Sequence, residues 1–297
     1  MRRSSVTRVA LGSVGLAVPL AAQAPPPGTD IFLVSVAPRG GSLSLGPPRN
    51  LTARPGYDNQ PHFSPDGRRL YYTSIRSDGQ ADIYWIDLKS DLITRFTDTP
   101  ESEYSPTVMP GGREIAVIRV ERDSTQRLWA FPIGGGPPRL LLERLKPVGY
   151  QAWIDPGTVG LFVLGSPATL RVADLASGEA RILLSGIGRS LQLIPGLKAL
   201  SVTQMVAENV WWLVEVDPGT AAARPIVRMA QGADYAIWLG DGSLLSAQGN
   251  ALLRFRPGAD TAWIKVAELT GPGLGRLSRL AVSPKGDWLA VVAEEGR

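Results

Sequence analysis

Phe63-Ser64-Pro65-Asp66-Gly67-Arg68-Arg69-Leu70-Tyr71-Tyr72-Thr73-Ser74, followed by Asp82-Ile83-Tyr84-Trp85-Ile86-Asp87 and Thr94-Arg95-Phe96-Thr97, reads as strand, turn, strand, loop, strand, turn, strand. Pro presets a negative φ at the first corner of the turn and Gly tolerates the positive φ that closes it, so one strand is reversed into the next. The unit is a four-stranded meander. The next stretch repeats it with Val108-Met109-Pro110-Gly111-Gly112, Ile115-Ala116-Val117-Ile118, Leu128-Trp129-Ala130-Phe131 and Arg139-Leu140-Leu141-Leu142. Weaker copies turn at Pro156-Gly157, Pro195-Gly196 and Gly240-Asp241-Gly242, and a clear one at Ser283-Pro284-Lys285-Gly286. With Pro65, Pro110, Pro156, Pro195, Gly240 and Pro284 taken as equivalent, the spacings are 45, 46, 39, 45 and 44 residues. About 40 to 50 residues per four strands is the period of a propeller blade.

The two ends of the chain complement each other. Thr29-Asp30-Ile31-Phe32-Leu33-Val34 copies Ala81-Asp82-Ile83-Tyr84-Trp85-Ile86, and Arg49-Asn50-Leu51-Thr52 copies the neighbourhood of Arg95-Phe96-Thr97, so the chain begins with the outer two strands of a blade. Leu280-Ala281-Val282 and Trp288-Leu289-Ala290-Val291-Val292 are inner strands, and the third would start where the sequence stops. Joined, the halves make a sixth blade and remove two open sheet edges. The expected fold is all-β, a six-bladed β-propeller of four-stranded antiparallel blades in which N- and C-terminal strands share one blade. A truncated array with a broken last blade is the competing reading.

The chain has 297 residues, 44% of them hydrophobic, with 33 Gly and 25 Pro. That is too apolar for disorder and too punctuated for a helical bundle. Arg2, Arg3 and Arg8, the apolar run Val9 to Ala22, and Ala21-Ala22-Gln23-Ala24 ahead of Pro25-Pro26-Pro27 follow the charged, apolar, small-residue order of a secretory signal. The run falls short of the roughly 20 residues that span a bilayer. Residues 1–24 are therefore read as a signal peptide and 25–297 as a single propeller. Loss of the three arginines takes the net charge from +4 to about +1, which leaves a nucleic acid little to hold. The chain contains no Cys, hence neither a lipid-attachment cysteine nor a disulfide framework. The expectation is a monomeric periplasmic or secreted protein with no membrane span, no nucleic-acid partner and no cofactor.

Phe63-Ser-Pro-Asp-Gly67-Arg-Arg-Leu-Tyr71 followed by Asp82-Ile83-Tyr84 resembles the repeat of TolB-type six-bladed propellers, a repeat shared by dipeptidyl-peptidase-like and oligogalacturonate-lyase-like enzymes. The resemblance is sharp in the first two units and at Val282 to Trp288, and diffuse between 148 and 275. It implies fold far more than activity. The N-terminal α/β domain of TolB has no counterpart in the few residues between the leader and Ile31, which puts a TolB role in an envelope complex in doubt. The peptidase group requires a Gly-x-Ser-x-Gly elbow on a hydrolase domain, and neither the motif nor the room is present. The lyase group holds its metal with a histidine cluster, whereas His62 is the sole histidine here. No metal site is expected, although all-carboxylate Ca²⁺ binding stays open; Asp58, Glu101 and Glu103 form no spaced loop motif.

Aligning the six innermost strands exposes one position that is polar in every unit: Gln60, Ser105, Gln151, Ser190, Tyr235 and Arg279. Its neighbour is apolar throughout: Pro61, Pro106, Ala152, Leu191, Ala236 and Leu280. Period-two alternation sends the first set toward a central channel and the second between blades. Asn59, Tyr104, Tyr150, Arg189 and Asp234 precede the ring and extend its mouth. His62 either faces the channel as a lone base or ligand, or is packed between blades. Trp85, Trp129 and Trp211 fall on third strands as fillers, while Trp153 and Trp238 lie on innermost strands within reach of the channel. These residues predict a ligand-binding mouth without catalytic groups, in a non-enzymatic exported module for a protein or small anionic ligand such as a carboxylate terminus or uronate. A channel-centred lyase or hydrolase acting on a sugar or lactone, a propeller separated from a peptidase domain, and a water-filled shaft with no partner remain open beside it.

Overall fold

The computed structural model describes residues 26–39 and 42–296, so the expected signal segment lies outside the described residues. Every regular element among these residues is a strand; no helix long and apolar enough to cross a membrane is among them. Four sheets contain four antiparallel strands each, taken in chain order. They comprise Ser102–Val108, Glu114–Val120, Gln126–Pro132 and Arg139–Leu140; then Val148–Trp153, Thr158–Val163, Thr169–Asp174 and Ala180–Ser185. Ile187–Leu193, Leu200–Ala207, Val210–Val216 and Ala223–Arg228 follow, then Ala236–Trp238, Leu244–Gln248, Ala251–Phe255 and Ile264–Glu268. A nine-stranded sheet holds the rest. One of its runs is Tyr57–Phe63, Arg69–Ile75, Ala81–Asp87 and Ile93–Arg95; the other is Leu274–Val282, Trp288–Glu295, Thr29–Arg39 and Arg49–Asn50, with Ser42–Leu45 folded back on Thr29–Arg39. A single parallel bridge, Thr29 to Tyr57, joins the runs. We read them as two blades, the first and the sixth.

The β-propeller expected from the repeats is what this pairing shows. Each run's first strand contacts the first strand of the next run, and the strand Leu274–Val282 returns to Tyr57–Phe63. The terminal strand pairs antiparallel with the C-terminal one from Thr29↔Glu294 to Ser35↔Trp288. Its alternate residues face opposite ways. Ile31 and Leu33 pack with Phe63, Leu70 and Tyr72 of the first blade, while Phe32 and Val34 pack with Leu245 and Leu252 of the fifth. The repeat extends to hydrogen bonds: Thr52 Oγ1 accepts from the Ile31 amide at 3.0 Å, and Thr97 Oγ1 accepts from the Ile83 amide at 2.9 Å.

Five of the six expected turns place a glycine at positive φ: Gly67 at 70°, Gly112 at 68°, Gly196 at 75°, Gly242 at 79° and Gly286 at 73°. A Cβ there would collide with the following carbonyl, which is why glycine recurs. The turn at Pro156 differs, because Asp155 Oδ1 accepts from the Gly157 amide at 2.9 Å and closes it without that conformation. Trp85, Trp129 and Trp211 lie on third strands as expected. Arg69 covers the Trp85 ring at 4.2 Å and Arg119 the Trp129 ring at 4.3 Å.

Candidate functional site

The inner strands surround a shaft of about 650 Å³. From the first two blades its lining includes Gln60 to His62 and Pro65, then Ser105 to Gly112, so it extends along those strands into the turns that end them. Gln60, His62, Ser105, Tyr150, Gln151, Arg189, Tyr235 and Arg279 are brought together on this wall. Strict alternation fails, however: Pro61, Pro106, Ala152, Leu191 and Leu280 line the shaft beside them. The cause is an extra residue in the strand. Pairing jumps from Asn59↔Thr73 to His62↔Tyr71, and from Tyr104↔Ile118 to Thr107↔Ala116. Three more inner strands shift register, between Val148 and Tyr150, between Ile187 and Leu191 and between Leu277 and Arg279. Such bulges set two residues against one and turn neighbouring side chains toward the same side. Gln60 and Ser105 sit at their bends with φ of 59° and 54°.

Four expected mouth residues do not line this shaft. Asn59 is buried and turned to the terminal strand, where its Nδ2 donates to Thr29 Oγ1 at 3.4 Å. Ser190 is fully buried; its hydroxyl donates to the Ala236 carbonyl and accepts from the Ala236 amide, both at 3.1 Å. Tyr104 packs against the apolar core between the second and third blades. Asp234 lines a separate side cavity. Of the two inner-strand tryptophans, Trp153 lines the shaft while Trp238 donates from Nε1 to Ser201 Oγ at 2.8 Å.

Several polar positions join blades. Gln60 Oε1 accepts from Thr73 Oγ1 and from the Ser105 amide, each at 2.7 Å. Gln151 Nε2 donates to the Ser105 carbonyl at 2.8 Å and the Ala116 carbonyl at 3.2 Å. Gln192 Nε2 donates to the Tyr235 hydroxyl at 2.9 Å. An inter-blade gap cannot leave its amides dry and unpaired, so polar residues recur there for packing reasons alone.

Arg279 differs from these clamps. One guanidinium nitrogen donates to the Tyr150 hydroxyl at 2.9 Å, and the group lies 4.8 Å from the Tyr150 ring and 5.1 Å from that of Tyr235. It enters no ion pair among the described residues, and the shaft lining holds Arg189 and Arg279 but no carboxylate. Tyr57 belongs to the same cluster: burial pushes its hydroxyl up to about 12, against the pull of Arg279 and Arg189. The sequence reading missed it. The available signal was that four of the chain's seven tyrosines, Tyr57, Tyr104, Tyr150 and Tyr235, lie at or beside the starts of inner strands. His62 also lines the shaft, and burial pushes its imidazole down to about 4, so it is neutral at pH 7. No described residue hydrogen-bonds its side chain. Among the described residues, no three of His, Cys, Asp or Glu are grouped as metal ligands.

No family model matches the chain. It is 30% identical over 81 residues to an uncharacterized protein of Agrobacterium fabrum, a match covering 27% of this chain and 27% of that protein, so the likeness spans about a quarter of the relative's length. Among solved structures it resembles one from Agrobacterium tumefaciens assigned provisionally to TolB, with a TM-score of 0.71 and 16% identity over 92% of this chain and 100% of that one. TolB from Acinetobacter baumannii matches at 0.59 and 14% identity over 91% of this chain and 65% of its own. A gluconolactonase from Xanthomonas campestris matches at 0.64 and 12% identity, over 90% and 98% of the two chains. At such identities the likeness is one of fold alone.

Proposed function

We propose that the protein is an exported TolB-like propeller, monomeric and non-enzymatic, that holds an anionic group of a protein or small ligand at the mouth of its shaft. One observation carries this reading: two arginines share a shaft wall that contains no carboxylate. A guanidinium offers five donors in a rigid fork, and Tyr150 accepts from only one nitrogen of Arg279. Phenol rings hold the group in place without neutralising it, which leaves a charge-assisted hydrogen bond open to an incoming anion. The fold likeness to TolB, the leader-like residues 1–24 and the single propeller read over 25–297 support an exported binding module. The test is binding of galacturonate oligomers or carboxylate-terminated peptides to the purified chain. Replacing Arg189 and Arg279 together by Ala is expected to weaken it at least tenfold, or about 1.4 kcal/mol. Affinity that survives both substitutions overturns the reading.

A channel-centred hydrolase or lyase acting on a lactone or sugar is the second reading, and His62 favours it. Its imidazole lines the shaft with two arginines, has no side-chain hydrogen-bond partner among the described residues and is neutral at pH 7, so a substrate in the shaft meets it directly as a hydrogen-bond acceptor and a weak base. Its discriminator is turnover of lactone or uronate substrates that disappears in His62→Ala.

A further inference from the structure

Beside the shaft, and sharing Arg189 with it, lies a second cavity of about 250 Å³. Phe162, Ile187 and Trp211 supply apolar wall, while Arg189 and Asp234 supply the charged groups. Gly188 lets Thr203 and Trp211 pack against the strand: a Cβ there would stand 2.4 Å from Thr203 Oγ1 and 3.0 Å from the Trp211 ring. Thr203 is 1% exposed, so its Oγ1 is sealed behind the wall rather than presented to the cavity. Arg189 and Asp234 are both exposed and opposite in charge, yet neither forms an ion pair or side-chain hydrogen bond among the described residues.

We propose that this cavity binds a free apolar α-amino acid. Asp234 takes the ammonium, Arg189 takes the carboxylate, and the aliphatic or aromatic side chain lies against Trp211, Phe162 and Ile187. The volume is below the roughly 300–1,000 Å³ of pockets that take drug-sized molecules, which matches a single residue. Two opposite charges on the wall of so small a space are both met by an occupant that itself carries both. A peptide terminus brings one charge only, and a simple anion would face Asp234 as well as Arg189. The site stands apart from the shaft reading except through Arg189, since Arg279 lines the shaft and not this cavity.

The experiment is titration calorimetry on the full chain with L-leucine and L-phenylalanine, beside N-acetyl-leucine and leucinamide. At least one free amino acid is expected to bind ten times or more tighter than either blocked form. Asp234→Asn should weaken it at least tenfold, with a melting profile like that of the parent. Arg279→Met should leave this affinity unchanged while weakening galacturonate oligomers, so the two readings fail separately. The proposal is overturned if neither amino acid binds at millimolar concentration. Equal binding of a blocked form, indifference to Asp234→Asn, or loss of amino-acid binding in Arg279→Met overturns it too.

Discussion

Ile31 and Val292 face each other directly across the ladder between the two chain ends, and both are fully buried. They share one core with Phe63, Leu70 and Tyr72 of the first blade. Truncating Ile31 to Ala removes three carbons from a close-packed site and should cost about 3 kcal/mol; Val292→Ala, with two fewer carbons, should cost about 2 kcal/mol. The two cavities overlap, because the residues touch. The double variant should therefore fall short of the sum by about 0.5–1.5 kcal/mol. At about 2–4 °C per kcal/mol for a chain of this size, Ile31→Ala alone should lower Tm by roughly 6–12 °C. Urea unfolding followed by tryptophan fluorescence reads all four corners of the cycle, and Ile182→Ala, at a position 54% exposed, serves as a control with a change within about 0.5 kcal/mol. Additivity within 0.3 kcal/mol, or an Ile31→Ala variant as stable as its parent, would refute the docking of the first strand on the last.

Burial holds the His62 imidazole down to about 4 against an ordinary 6.5, so the unfolded chain takes up a proton first as pH falls. Its contribution is therefore present above about pH 6.5 and is lost on acidification toward pH 4, by up to about 3 kcal/mol; urea midpoints at pH 7, 5.5 and 4 should show wild type losing ground to His62→Gln as pH falls, and a gap that stays constant with pH would refute it. Ser190→Ala strands the Ala236 amide and carbonyl in a buried gap, and should cost about 1–3 kcal/mol in the same assay. Arg119→Met leaves Glu103 without the buried guanidinium 3.0 Å away, with an expected loss of about 3–5 kcal/mol. Burial already raises the Glu103 carboxyl, so that deficit should shrink as pH falls and the carboxylate is protonated. A deficit that stays constant with pH would remove Glu103 as its cause.

The propeller was legible because its determinants are local and repeat. Each Pro/Gly turn specifies a reversal within four residues, and the copy of Asp82-Ile83 at Asp30-Ile31 reappears with the same threonine cap on the following amide. The site was legible only in part, because inner strands do not keep a strict period of two. The bulges at Gln60-Pro61 and Ser105-Pro106 arise from how neighbouring strands pair, and the inner strands of blades three, four and six shift without any proline at the step. Pro61 and Pro106 were the physical hint, since a residue with no amide hydrogen cannot serve a ladder on both sides. The aligned polar position mixed two causes that look alike in sequence. Gln60, Gln151 and Ser190 satisfy buried backbone between blades, whereas Arg279 and Tyr235 meet across open space. Polarity alone does not separate a clamp from a ligand group; the partner does.

The uncompensated charge in the shaft is what an anionic ligand would meet first. Titration of a galacturonate oligomer into wild type and into the Arg189→Ala/Arg279→Ala double variant, at two salt concentrations, measures it. Binding that is weaker at the higher salt, weaker by at least tenfold in the variant, and absent for the matching uncharged oligosaccharide is the predicted result. Equal affinity for charged and uncharged sugars, or for wild type and variant, would contradict it.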